Sequence, residues 1–284
     1  MLTPRTQHLI DLALQEDAAR TDVTSRAVFP GKHRSTAVID AKQELVVCGL
    51  EIAAAVFRRL DRRLRAKPLV REGARVKRGA LVMRIEGPTA SLLAAERTAL
   101  NFLQRLSGIA TEARRYMDAL RGTGVRLLDT RKTTPGWREL EKYAVRIGGG
   151  TNHRQSLRDL VFIKDNHIAA AGSLSRAVEI CRARAPRGLR IEVEAKSLAE
   201  VREAVAAGAD IVLLDNMTPA QVRRAAAVVA GRAKVEVSGG VRYKTLRAYA
   251  LPGVDFISVG ALTHSVAAAD LSLDLSPARP SGAT

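Results

Sequence analysis

The stretch from Leu189 to Asn216, LRIEVEAKSLAEVREAVAAGADIVLLDN, contains the pattern that decides the fold. Two short runs rich in Ile, Val and Leu, at 189–195 and 210–215, enclose a segment whose apolar residues recur at helical spacing. Gly208 stands where that helix would end before the next strand. A strand, a helix and a second strand in this order predict a βαβ unit with two parallel strands.

The same unit recurs through the second half of the chain. Short β-branched or Leu-rich runs are found at 125–129, 160–165, 189–195, 210–215, 234–240 and 255–260. Helical segments rich in Ala, Glu and Arg lie between most of them, so the sequence predicts an α/β domain with a parallel sheet. The short, repeated unit favours a barrel-like closure over an open sheet.

The first hundred or so residues differ from this pattern. Strand-like runs at 34–49 and 79–88 are interleaved with helix-like segments at 50–60 and 88–108, which predicts a separate α+β domain. We therefore expect an N-terminal domain over 1–108 and a catalytic α/β domain over 109–265, with 266–284 returning to the first domain. The Pro-, Ser-, Gly- and Ala-rich end of the chain predicts disorder in its last residues.

The amino-acid composition favours some classes of binding partner over others. The chain has 284 residues, and 46 Lys and Arg against 29 Asp and Glu give a net charge of +17, which favours an anionic partner. Aromatic residues are only 4% of the chain, too few for stacking on single strands, so a small polyanionic substrate is favoured over nucleic acid. No apolar run is long enough for a transmembrane helix, and no signal peptide is recognisable at the N-terminus. Cys48 and Cys181 show no ligand spacing, which is typical of reduced cysteines in a cytoplasmic protein.

Polar or glycine-rich positions lie at the ends of the predicted strands. In chain order they are Arg131 and Lys132, Lys164 and Asp165, Glu192 and Glu194, Asp215 and Asn216, Ser238 to Gly240, and Gly260. In an α/β barrel the carboxyl ends of the strands form the face that carries the active site. The six strand ends together therefore predict one site.

The densest segment of this site is RIGGGTNHRQSLRDLVFIKDNH, at 146–167. Its His153, Arg154 and Lys164, together with Arg131 and Lys132, would concentrate positive charge that anions must balance. The three glycines at 148–150 are either a flexible turn or a close approach to a ligand. Two acids, Glu194 and Asp215, either pair with lysines or bind Mg²⁺ and sugar hydroxyls. These residues indicate substrates with several negative charges, one of them a phosphate.

Several longer motifs extend this interpretation. They are EDAARTDVTS (16–25), ERTALNFLQRLSGIAT (96–111), DTRKTTPG (129–136), LEKYAVRIGGGTNHR (140–154), IKDNHI (163–168), LLDN (213–216) and VGALTHS (259–265). Together they resemble the quinolinate phosphoribosyltransferase family over nearly the whole chain. The resemblance implies an N-terminal open α/β sandwich domain, a C-terminal incomplete α/β barrel, and a homodimer or hexamer with shared active sites. It also implies Mg²⁺ and the decarboxylating transfer of phosphoribosyl from 5-phosphoribosyl-1-pyrophosphate (PRPP) to quinolinate, a step of de novo NAD synthesis.

The resemblance also implies roles for particular residues. Quinolinate binding falls to Arg97 of the partner subunit and to Arg131, His153, Arg154 and Lys164. Binding of PRPP and its phosphates falls to Lys132, Ser238, Gly239, Gly260 and His264. The implied catalytic residues are Lys132, Lys164, Glu194 and Asp215, the last two also holding Mg²⁺, partly through water. Glu194 is preferred to Glu192 as the acid of the site.

Two alternatives remain open at the level of sequence. One is a paralogue of the same fold, encoded in molybdenum-transport operons, that acts on another acceptor. The presence of the whole implied quinolinate-binding set argues against it. The other is a basic nucleic-acid-binding protein, which would not explain the positions of the glycines and acids.

Overall fold

The computed structural model describes residues 2–276, which form two compact units. The first unit comprises 2–112 and 266–276, and the second comprises 113–265. The tail at 277–284, for which the sequence predicts disorder, lies outside the described residues. None of the helices within 2–276 combines the length and apolar character that a membrane span requires.

The first unit is built on a four-stranded antiparallel sheet. In spatial order its strands are β12 (Leu271–Ser276), β1 (Arg34–Ala41), β5 (Leu81–Pro88) and β3 (Arg65–Pro68). A separate antiparallel pair is formed by β2 (Leu45–Val46) and β4 (Arg75–Val76). Alternate side chains of β1 are buried, as expected for a sheet with one face on the core. The returning segment therefore belongs to this sheet, with Leu273 opposite Ile39.

Four α-helices complete the first unit. They are α1 (Pro4–Glu16), α2 (Val23–Val28), α3 (Leu50–Leu60) and the 32-residue α4 (Thr89–Leu120), which continues into the second unit. A short 3-10 turn spans Ala19–Thr21. The backbone N–H groups at the start of α3 find their acceptor in a residue far along the chain. The Glu72 carboxylate accepts hydrogen bonds from the N–H groups of Gly49 and Leu50 at 2.6 and 3.1 Å.

The second unit is a six-stranded parallel sheet covered by helices. Its strands in spatial order are β6 (Arg126–Leu128), β11 (Phe256–Ser258), β10 (Lys234–Ser238), β9 (Ile211–Asp215), β8 (Ile191–Ala195) and β7 (Val161–Ile163). The helices are α5 (Arg138–Ile147), α6 (Asp165–Ala171), α7 (Leu174–Arg184), α8 (Leu198–Ala206), α9 (Pro219–Val229), α10 (Tyr243–Tyr249) and α11 (Ala261–His264).

The order of these strands is that of a barrel with one open seam. From β7 to β11 each strand pairs with the next one along the chain, and β6 pairs with β11. Within 2–276, β6 and β7 do not pair with each other, although Leu128 forms an isolated parallel bridge with Thr151. The predicted α/β class is confirmed, with an antiparallel sheet in the N-terminal unit and six parallel strands in the C-terminal unit.

Strand alternation separates the two faces of this sheet. Val193, Leu214 and Val237 are completely buried, and this apolar face packs under the helices. The neighbouring positions on the same strands, such as Glu194, Asp215 and Ser238, point to the other face and line a cavity. The interior of the barrel is therefore polar at the carboxyl ends of its strands.

Gly108 allows the returning segment to lie against α4. A Cβ atom at this position would come within 2.2 Å of the Ala267 carbonyl oxygen, so Gly108→Ala must displace backbone. We expect it to lower the free energy of unfolding by roughly 1–3 kcal/mol, measured by urea denaturation. Asn101→Ala, at an exposed position of the same helix, should change it by less than about 0.5 kcal/mol. An equally stable Gly108→Ala variant would contradict this packing.

Candidate active site

A cavity of about 640 Å³ opens at the carboxyl ends of the parallel strands. Every predicted site residue of the second unit lines it. These residues are Arg131, Lys132, His153, Arg154, Lys164, Glu194, Asp215, Ser238, Gly239, Gly260 and His264. The structure thus brings together side chains that are separated by up to 133 positions along the chain, from Arg131 to His264.

Two of the arginines that line the cavity, Arg131 and Arg154, form no ion pair with an acid among residues 2–276. The Nε atoms of Arg131 and Arg154 are buried, and neither has a hydrogen-bond partner in the described part of the chain. Arg154 donates from Nη1 to the Leu160 carbonyl at 3.3 Å, and its guanidinium lies 4.9 Å from the centre of the Phe162 ring. Burial and the charge of Arg131 both lower the pKa of Arg154. An anionic ligand would satisfy these buried donors and relieve the repulsion.

His153 is engaged through both ring nitrogens. Its Nδ1 accepts the backbone N–H of Arg154 at 2.7 Å, so the proton of the neutral ring belongs on Nε2. Nε2 faces two buried carboxylates, at 3.1 Å from Glu192 Oε2 and 3.6 Å from Glu236 Oε2. Burial lowers the pKa of His153, but the two glutamates outweigh it and raise the pKa overall. The ring is thereby held in one orientation, stacked on Phe162.

The acids near the rim of the cavity are paired with neighbouring polar side chains. Glu194 Oε2 lies 3.1 Å from Lys164 Nζ, and Glu194 Oε1 lies 3.8 Å from Lys196 Nζ. Asp215, at the end of the neighbouring strand β9, accepts a hydrogen bond from Asn216 Nδ2 at 2.9 Å. Glu194 pairs with lysines, as one interpretation of the sequence expected. Because these lysines are exposed and Glu194 lines the cavity, the structure is also compatible with the other interpretation, in which Glu194 binds Mg²⁺ or sugar hydroxyls.

Two glycines that line the cavity, Gly239 and Gly260, leave room for a ligand to approach the backbone closely. Gly239 has φ +87°, and a Cβ atom there would lie 2.3 Å from Asn216 Oδ1. At Gly260 a Cβ atom would lie 3.0 Å from Lys132 Cδ and 3.2 Å from the His264 ring. Any larger residue would therefore fill space next to the lysine and histidine that were predicted to bind phosphate.

A buried ion pair supports the loop that carries His153. The Asp129 and Lys142 side chains are 0% and 1% exposed and form a salt bridge. Asp129 also accepts the backbone N–H of His153 at 2.9 Å and a hydrogen bond from the Asn152 side chain. Lys142 donates to the His153 carbonyl at 3.1 Å. Burial raises the pKa of Asp129, and the Lys142 charge opposes that shift.

Sequence reasoning missed several lining residues. Glu236, Phe162 and Arg242 line the cavity, and Asp129 and Lys142 hold its wall from beneath. A signal for Glu236 was available, since it precedes Ser238 by two positions on a strand and must point to the same face. Phe162 and Arg242 carry no such signal. Arg97 lies on α4 in the first unit, is exposed, and does not line this cavity.

Comparisons with family models and with known proteins point to the same family. The model for "Quinolinate phosphoribosyl transferase, C-terminal domain" matches residues 109–274, and the model for the N-terminal domain of the same family matches 22–107. A Bacillus subtilis protein named "probable nicotinate-nucleotide pyrophosphorylase (carboxylating)" is 44% identical, over 92% of this chain and 90% of its own length.

Two further relatives agree with these matches. The carboxylating nicotinate-nucleotide pyrophosphorylase of Mycobacterium leprae is 40% identical, over 93% of this chain and 94% of its own length. The crystal structure of NadC from Streptococcus pyogenes is similar with a TM-score of 0.93 and 41% identity, and it covers 97% of this chain and 98% of its own.

The Asp129–Lys142 pair gives a testable expectation. Lys142→Ala would leave a carboxylate buried without its cation, so the free energy of unfolding should fall by about 3–5 kcal/mol. Urea denaturation measures the change, and Lys142→Met combined with Asp129→Asn should recover part of it. Arg176→Ala, which breaks an exposed ion pair with Glu179, is the control and should cost less than about 1 kcal/mol. A similar loss in both single variants would contradict a special role for the buried pair.

Proposed function

This chain belongs to the quinolinate phosphoribosyltransferase family, and from that premise we propose how the barrel cavity carries out the reaction. The activity is that of a carboxylating nicotinate-nucleotide pyrophosphorylase of NAD biosynthesis. Quinolinate attacks C1 of PRPP through its ring nitrogen, pyrophosphate leaves, and loss of CO₂ yields nicotinate mononucleotide. The observation that carries the residue assignment is that the buried Nε atoms of Arg131 and Arg154 find no hydrogen-bond partner within 2–276.

Arg131 and Arg154 bind the two carboxylates of quinolinate in this proposal. A guanidinium presents donors in a planar fork that matches a carboxylate, and each buried Nε needs such an acceptor. Lys164 adds a mobile point charge between the two substrates, and its Nζ already lies 4.5 Å from the centre of the Phe162 ring. Phe162 packs against the His153 ring and beneath the Arg154 and Lys164 cations, and so helps to fix the positions of three residues of this set. His153 also belongs to the residues that bind quinolinate in this proposal.

PRPP lies along the glycine-rich side of the cavity. Gly239 and Gly260 leave room for phosphate oxygens to approach backbone N–H groups, and Ser238 and His264 supply further donors. Lys132 lies next to Gly260 on this side of the cavity, so in this proposal it contacts the pyrophosphate where bond breaking occurs. Its ammonium group stabilises the negative charge that develops on the leaving group.

The donor set of Glu194 and Asp215 fits Mg²⁺. Both are carboxylates at the ends of adjacent strands, and oxygen donors are what Mg²⁺ prefers. Within 2–276 these two acids do not belong to a group of three closely spaced metal ligands, which suits an ion whose shell is completed by substrate phosphates and water. When bound, Mg²⁺ neutralises charge on the pyrophosphate. Glu194 and Asp215 also accept hydrogen bonds from the ribose hydroxyls.

Catalysis in this arrangement rests on positioning and charge. The side chains hold the ring nitrogen of quinolinate in line with C1 of PRPP, where a loose transition state needs little covalent assistance. The new C–N bond makes the ring nitrogen cationic as the bond to pyrophosphate breaks. The C2–carboxylate bond then breaks, the ring accepts its electron pair, and C2 takes up a proton. No side chain is required as a nucleophile.

The site is completed by a second subunit in this proposal. Arg97 is exposed on α4, and the resemblance to the family supports its assignment to a neighbour's quinolinate site in a homodimer or hexamer. We also propose a cytoplasmic location, because Cys48 and Cys181 are free thiols, as is usual for proteins of reducing compartments.

The first test of this proposal measures the reaction and its carboxylate recognition. The purified protein, supplied with quinolinate, PRPP and Mg²⁺, should release CO₂ and form nicotinate mononucleotide, and chelation of Mg²⁺ should abolish turnover. Arg131→Ala should lower kcat/KM for quinolinate by about 30-fold or more, because a buried charged contact is worth roughly 2–5 kcal/mol. Arg176→Ala, away from the cavity, is the matched control. Turnover of nicotinate instead of quinolinate would refute the assignment.

The second test concerns the shared site. Arg97→Ala and Arg131→Ala should each be nearly inactive, because each lacks one quinolinate contact at every site. Subunit exchange between them should restore roughly a quarter of the wild-type activity, since half of the random dimers are mixed and each mixed dimer has one intact site. Mixed dimers that are verified by mass spectrometry but remain inactive would argue against sharing.

A further inference from the structure

A buried acid lines the deep part of the cavity. Glu236, on β10, precedes the strand-end residue Ser238 by two positions and lines the cavity, although its side chain is only 1% exposed. Its Oε1 atom is buried and has no hydrogen-bond partner in the described part of the chain. Its Oε2 atom lies 3.6 Å from His153 Nε2. The roles assigned so far leave this carboxyl without a task in the reaction.

The surroundings of Glu236 favour its neutral form. Burial is the main cause, and the negative charges of Glu192, on β8, and of Asp129, after β6, act in the same direction. His153 and the hydroxyl of Ser258, on β11, oppose the shift without cancelling it, and the pKa of Glu236 is raised to about 8. The carboxyl is therefore mainly protonated at neutral pH. In that form it does not repel a dianionic substrate, and it carries a proton that it can donate.

The reaction needs a proton at this end of the cavity. When the C2–carboxylate bond breaks, CO₂ leaves and the electron pair stays on C2, next to the cationic ring nitrogen. A proton must reach C2 before nicotinate mononucleotide is complete. Quinolinate contacts His153 in the proposed function, and its two carboxylates stand on neighbouring ring carbons. A carboxyl beside His153 is therefore placed to reach C2 as well.

We propose that the Glu236 carboxyl is the catalytic acid that protonates C2 after CO₂ has left. This inference rests on the proposed function, including the direct contact between His153 and quinolinate. The proton passes from the carboxyl oxygen to C2, the electron pair on C2 forms the new C–H bond, and Glu236 is left as a carboxylate. Water enters the cavity when the product dissociates, and the carboxylate regains its proton from it.

The cations that line the cavity are less suited to this step. Lys164 Nζ lies 3.1 Å from Glu194 Oε2 and is held in an ion pair near the rim. Lys132 lies beside Gly260, on the side of the cavity assigned to PRPP. A guanidinium does not release its proton in a protein. Glu236 combines a transferable proton with a position next to the quinolinate-binding residues.

Glu236→Gln tests the proposal directly. Glutamine is a neutral isostere of the protonated carboxyl, so it keeps the volume and a hydrogen-bond donor but supplies no transferable proton. In single turnovers the quinolinate affinity and the rate of pyrophosphate release should stay within about threefold of wild type. Formation of nicotinate mononucleotide should slow by at least about tenfold, because general acids contribute about 100-fold or more.

The intermediate of the slowed reaction identifies the affected step. Without a proton donor, CO₂ recombines with C2, so the adduct that still carries both carboxylates should accumulate, as detected by mass spectrometry of quenched samples. Product formation slowed by less than about tenfold overturns the proposal, since a neutral group that only fills space is replaced by glutamine without loss. Equal slowing of pyrophosphate release and product formation also overturns it, because the loss would then precede decarboxylation.

The pH dependence provides a second arm. The protonated form of Glu236 is the active one, so CO₂ release by the wild type should decline as the pH rises above about 8. The negative charge of the substrate favours the protonated form and keeps this decline at pH 8 or above. Glu236→Asp retains an acid and should retain the decline, whereas Glu236→Gln should lose it. The same decline in Glu236→Gln would assign the proton to another group and overturn the proposal.

Controls separate this inference from the proposed function. Glu179→Gln, exposed on α7 and away from the cavity, is the matched substitution and should leave every rate unchanged. Circular dichroism and thermal midpoints show whether each variant is folded. A wild type that does not turn over quinolinate would refute the proposed function itself. A wild type that turns over quinolinate, with Glu236→Gln equally fast, would refute this inference alone.

Discussion

The site depends on two buried guanidinium nitrogens for which residues 2–276 supply no acceptor. Arg131 and Arg154 approach each other closely enough for the charge of one to lower the pKa of the other. That arrangement is unfavourable in the free protein, and an anion relieves it. The parallel strands and the loops at their carboxyl ends hold these two guanidinium groups in the cavity.

The barrel supplies the necessary rigidity. Strand alternation places Val193, Leu214 and Val237 under the helices and leaves the opposite positions free for polar groups. The loop before β7 has no such regular support, so the buried pair of Asp129 and Lys142 holds it through main-chain contacts to His153. A charged pair is costly to bury, and its hydrogen bonds to the backbone offset that cost.

The acids of the cavity are kept apart from the arginines in two ways. Glu194 pairs with Lys164 and Lys196 near the rim, while Glu192 and Glu236 pair with His153 in the interior. Both arrangements leave Arg131 and Arg154 without an ion-pair partner in the part of the chain that the structure describes. In the proposed function, this separation gives one pocket a side for the quinolinate dianion and a side where carboxylates meet Mg²⁺ and ribose.

The sequence by itself determined the six parallel strands and their polar ends, because apolar periodicity and strand-end chemistry are local properties. It also placed Arg131, Lys164 and Glu194 on one face, since parallel strands share an edge. It could not show that Glu192 and Glu236 meet on His153, or that Lys142 is buried against Asp129. Those contacts join strands and loops far apart in the chain. Only the tertiary structure shows these contacts, because it determines which charged side chains are buried, and a buried charge is unfavourable unless it is paired.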